Sequence, residues 1–117
     1  MGTTADLSQG YRVIRATGEL DILTTPLLAG KLAEAQRGNH IPYLVADLTD
    51  VTFMDCSALG PLCTARARCL DRAGWLRLVY SGRTVGLLLH IVDLTSAFPR
   101  YATVDAARQG VVSARIR

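Results

Sequence analysis

The 117-residue sequence predicts a single α/β domain on three observations. Runs with strand character alternate with runs of helical period, in the order strand, helix, strand, helix, strand, helix, short strand, helix. Such alternation implies crossovers onto a largely parallel sheet. One run, YLVADL (Tyr43 to Leu48), is almost wholly apolar and has the length of a strand buried on both faces. Half of the residues are hydrophobic and 20% are charged, enough to build one core, and the length suits one domain. Residues 1–117 are therefore read as one unit with its core at about 11–114, the polar residues 1–10 being expected to fray.

Each element has its own warrant. YRVIRAT (Tyr11 to Thr17) interleaves strand formers with Arg12 and Arg15 and reads as a strand, and GELD (Gly18 to Asp21) continues it as a turn or short strand. The first helix starts after a Thr24 or Thr25 cap, with Pro26 in its first turn and Gly38 at its end. Leu27, Leu28, Leu32 and Ala35 form its inner face, with Lys31, Glu34 and Gln36 towards water. After Tyr43–Leu48, TDVTF is expected to turn. A second helix runs from Ser57 to about Ala73, with Leu59, Leu62, Cys63, Ala67 and Leu70 inward and Gly74 as the stop. WLRLVY (Trp75 to Tyr80) is a strand, and SGRTVGLLLHIVDL is a helix with Val85, Leu88, Leu89 and Val92 inside. FPRYA is a short strand. The last helix is capped by Thr103 and buries Val104, Ala107 and Val111.

Charge and motifs exclude several functions. The net charge is +3, with basic residues scattered and few aromatics, which is not the clustered footprint of a nucleic-acid binder. No apolar run approaches a membrane span, and MGTTADLSQG lacks the features of a secretory signal, so a cytoplasmic protein is expected. Cys56, Cys63 and Cys69 are odd in number and too far apart along one helix to pair. Their spacing fits no zinc site, and phosphate-loop and dinucleotide motifs are absent, so neither metal nor cofactor is expected. Cys63 and Cys69 read as small core residues.

The functional candidate is TFMDCSALGPL (Thr52 to Leu62). Asp55, Cys56 and Ser57 stand at the junction of a strand and a helix, where ligands of open α/β sheets gather and where free N–H groups favour negative charge. The position suits a Ser57 that caps the helix or one that is phosphorylated. A small enzyme with Cys56 or Ser57 as nucleophile is the alternative from another class. It would need a base, for which only His40 and His90 exist, and GxSxG is absent.

GELD before the first helix together with VTFMDCSALG opening the second resembles the STAS domain family, and within it the bacterial anti-sigma factor antagonists. The resemblance runs from about Tyr11 to the last helix. It implies a mixed sheet of about four or five strands with about four helices mainly on one side. It also implies binding to an anti-sigma factor, often a histidine-kinase-like serine kinase, which frees a sigma factor. Phosphorylation of the antagonist would release the partner, and a serine phosphatase would reverse it. Carried over, Asp21, Asp55, Cys56, Ser57 and Ala58 would face the partner, and Phe53 and Met54 would anchor the junction.

The sequence departs from the family pattern at the decisive place. The usual phosphoacceptor follows the Asp directly, and here that residue is Cys56, with Ser57 one place later and Ala58 where a Gly is usual. Three readings stand: a constitutive antagonist, an acceptor shifted to Ser57, or a redox-sensitive Cys56 thiol. Ala58 disfavours positive φ, so the loop is expected to be helical there.

Overall fold

The structure is a computed structural model that describes residues 3–6 and 10–113. Five strands form one sheet in the order β1 (Thr3–Asp6), β2 (Tyr11–Leu20), β3 (Tyr43–Met54), β4 (Trp75–Val79) and β5 (Arg100–Tyr101). β1 runs antiparallel to β2, and the other three pairings are parallel. The sheet is therefore mixed. β1 corrects, for residues 3–6, the expectation that residues 1–10 fray; residues 1, 2 and 7–9 lie outside the described residues. Only residues 7–10 separate it from β2, too few for a parallel crossover, and an edge strand needs no apolar face to announce it.

α1 (Thr25–Ala35), α2 (Leu59–Asp71) and α3 (Leu87–Ile91) cover one face of the sheet. Leu28, Leu32, Leu62, Ala65 and Leu89 pack there with Ile14, Leu44, Ala46 and Leu78. α4 (Val104–Gln109) covers the other face, where Ala107 meets Val45, Val79 and Tyr101. β3 feeds both layers by strand alternation, Leu44 and Ala46 to one and Val45 to the other.

β3 does not turn at TDVTF but continues to Met54. Two register shifts against β2, between Arg15 and Thr17 and between Gly18 and Glu19, take up residues of β3 at Leu48–Thr49 and at Thr52. Gly18 has φ 77° beside the second shift, a conformation that favours glycine. Asp47 holds the polar edge by accepting from the Thr49 amide (3.0 Å) and hydroxyl (2.6 Å).

Several helix faces differ from their expected orientation. In α2 the buried residues are Leu62, Ala65 and Cys69, while Cys63, Ala67 and Leu70 are exposed. In α1, Leu27 is exposed, and Gln36, the residue that ends it, is buried. The expected third helix opens as a π-helical turn, Gly82–Gly86. The last helix stops where Gly110 turns to φ 78°, which leaves Val111 exposed, and residues 114–116 of its expected course lie outside the described residues.

Candidate functional site

The site lies at the carboxyl ends of β2 and β3. The Asp55 amide donates to the carbonyl of Leu20 (3.0 Å), so the two strand ends are tied together. After β2 the chain closes a tight turn. Asp21 Oδ1 accepts from the amides of Leu23 (2.9 Å) and Thr24 (3.1 Å), and the Thr24 hydroxyl donates to the carbonyl of Glu19 (2.7 Å). The short polar side chains of Asp21 and Thr24 thus close the loop before α1, whose first amides bond main-chain carbonyls, Thr25 to Asp21 (2.8 Å) and Leu27 to Thr24 (2.9 Å).

After β3, residues Cys56–Ala58 form one 3-10 turn leading into α2. Asp55, not Ser57, is the cap: its Oδ1 accepts from the Ser57 amide at 2.9 Å. The Ser57 hydroxyl also donates to Asp55 Oδ1 and lies 3.0 Å from the hydroxyl of Thr25 on α1. Ser57 is half-buried and Cys56 is exposed. Ala58 is helical, with φ −78° and ψ −18°, as expected. It is also 0% exposed in the core, so its expected contact with a partner is corrected: its methyl group has no surface to offer.

The structure brings Asp21, Asp55, Cys56 and Ser57 to the same end of the sheet and adds what the sequence reading missed. Thr25 joins Ser57. Ile22 (75% exposed), Leu23 (83%), Leu27 (61%) and Phe53 (47%) present large apolar side chains around these loops. Of the two expected anchors only Met54 is buried. Two large apolar residues in the turn between strand and helix, Ile22 and Leu23, were a legible signal for this surface, because side chains there have no core to enter.

Neither histidine reaches the site. His40 precedes β3 at the opposite end of the sheet and lies 3.5 Å from an Arg12 guanidinium nitrogen. His90 is exposed on α3. Among the described residues neither forms a hydrogen bond with Cys56 or Ser57, so neither histidine serves the nucleophile reading as its base. Among the described residues, no group of three His, Cys, Asp or Glu could hold a metal ion and no helix is long and apolar enough to cross a membrane.

A mixed sheet with capped loops and an apolar rim at its carboxyl edge offers a surface suited to binding. The STAS domain model matches residues 3–107, and the chain belongs to the STAS domain family. It is 34% identical over 105 residues to Rv2638 of Mycobacterium tuberculosis, a proposed anti-anti-sigma factor, covering 89% of this chain and 71% of that protein. It is 28% identical to the anti-sigma-F factor antagonist RsfA of the same species, over 81% of this chain and 75% of that one. Among solved structures, an anti-sigma factor antagonist from Mycobacterium paratuberculosis superposes with a TM-score of 0.80 at 27% identity, covering 93% of this chain and 92% of that one. The fold is also that of unphosphorylated SpoIIAA, with a TM-score of 0.69 at 22% identity over 88% and 91% of the two chains. RsfA and both of these structural neighbours are anti-sigma factor antagonists.

Proposed function

We propose that this chain binds an anti-sigma factor through the rim formed by the β2–α1 loop, the end of β3 and the Asp55–Ser57 turn, and so frees a sigma factor for transcription. The observation that carries the reading is the exposure of Ile22, Leu23, Leu27 and Phe53 beside Asp21 and Asp55. Large apolar side chains held out on rigid loops are what a partner's pockets bury at the centre of an interface, with charged groups setting register around them.

By family resemblance the partner is a histidine-kinase-like serine kinase acting in the cytoplasm, with a serine phosphatase as its counterpart. The usual acceptor position holds the exposed thiol of Cys56, and the Ser57 hydroxyl is engaged on both sides. A phosphoryl group on Ser57 would remove the proton that it donates to Asp55 and set a dianion against that carboxylate. This supports the constitutive reading over a shifted acceptor.

Affinity capture from native cytosol tests the binding role. The wild-type chain is expected to retain an ATPase-type anti-sigma factor, identified by mass spectrometry. Phe53→Ser and Leu23→Ser are expected to lose it while keeping the wild-type melting temperature. Equal retention by both variants contradicts the assigned surface.

A further inference from the structure

Thr25 and Ser57 are 32 positions apart in sequence, yet their hydroxyl oxygens lie 3.0 Å apart. The proton bookkeeping of this contact has one solution. The Asp55 carboxylate can only accept, so the Ser57 hydroxyl proton goes to Asp55 Oδ1, and the Ser57 oxygen must accept from the Thr25 hydroxyl. The result is a directed chain from Thr25 to Ser57 to Asp55. It ends on the oxygen that also caps the 3-10 turn by accepting the Ser57 amide. At its other end Thr25 is the first residue of α1. Its own amide donates to the carbonyl of Asp21 at 2.8 Å, and Asp21 organises the loop that carries Ile22 and Leu23. One line of hydrogen bonds therefore runs from the apolar loop after β2 to the turn after β3.

We infer that Thr25 and Ser57 form a clamp that holds the two partner-facing loops as one preorganised surface. Both are positioning residues, acting through the loops that they join. The functional meaning rests on the proposed binding role, but the clamp itself does not. The Leu20–Asp55 backbone bond fixes the strand ends only. The loop tips beyond them have the hydroxyl pair as their side-chain link. Half-burial of both residues shields that link from competing water. Holding loops in the binding shape beforehand reduces the ordering cost of association.

A double-mutant cycle decides it. Thr25→Val keeps the shape and removes the hydroxyl, Ser57→Ala removes its partner, and Thr25→Ser keeps the donor. Amide hydrogen exchange of the free protein is measured at residues 22–28 and 55–58, with residues 45–48 of β3 as the internal reference. Thr25→Val and Ser57→Ala are each expected to speed exchange in both loops about tenfold relative to the reference, the double variant no more than either alone, and Thr25→Ser to match wild type. Effects confined to the mutated loop, or multiplying in the double variant, overturn the clamp. Dissociation from the anti-sigma factor captured above is then expected to follow the same non-additive pattern. A coupled exchange cycle with no partner captured would sink the binding role and leave the clamp standing. A coupled exchange cycle with unchanged dissociation rates would remove the clamp from recognition.

Discussion

The side-chain amide of Gln36, at the end of α1, donates to the carbonyl of Ala65 (2.8 Å) and to the sulfur of Cys69 (3.2 Å) on α2. Both helices are thereby locked to each other at the end remote from the binding rim. Gln36→Ala leaves buried acceptors without their donor and is expected to lower stability by about 1–3 kcal/mol, read from urea unfolding. An unchanged midpoint would show that the bond contributes nothing net.

The end of α2 separates two roles that the sequence joins in one glycine. Gly74 reads as the helix stop, yet Ala73 takes the left-handed conformation, with φ 65°. Gly74 serves a different need: a Cβ there would lie 2.0 Å from the backbone oxygen of Pro42. Gly74→Ala is expected to destabilise by more than about 2 kcal/mol, and Ala73→Gly to stabilise by about 0.5–1 kcal/mol. Equal unfolding midpoints for the two variants would contradict this assignment.

His40 makes stability depend on pH. Its pKa is lowered, first by burial and then by the cations of Arg12 and Arg72. Arg72 also donates to the carbonyls of Gln36, Gly38 and His40, so this corner holds two guanidinium groups already. A histidine that protonates less readily when folded contributes stability that is full above its ordinary value near 6.5. That contribution is lost as pH falls through the lower folded value. His40→Gln is expected to flatten the stability profile below pH ~6.5. The same acid slope in wild type and variant would be the contrary result.

Replacing the thiol should restore the switch that the family resemblance implies. With the captured kinase and ATP, Cys56→Ser is expected to take up phosphate at position 56, while the wild-type chain stays unmodified. Phosphate on wild-type Ser57, located by peptide mass spectrometry, would instead assign the acceptor to that residue.

The order of elements was legible because apolar period changes at each boundary, and the site was legible because an acid and two small polar residues meet a helix start. What was hidden depended on three-dimensional partners. Gln36 looks like a surface residue until a facing carbonyl appears beside it. The sequence points α2 inward through Cys63 and Leu70, but the small residues Ala65 and Cys69 face inward with Leu62 instead, on the side where Gln36 at the end of α1 reaches them. β1 carries no apolar alternation, and Thr25 looks like half of a cap until Ser57 arrives from 32 positions away.

Sigma-factor release is the most direct test of antagonism. A purified complex of the captured anti-sigma factor with its sigma factor is titrated with this chain, and free sigma factor is measured by size-exclusion chromatography. The account predicts release that saturates near one chain per anti-sigma factor, and no release with Phe53→Ser. A complex that stays intact at saturating wild-type chain would contradict it.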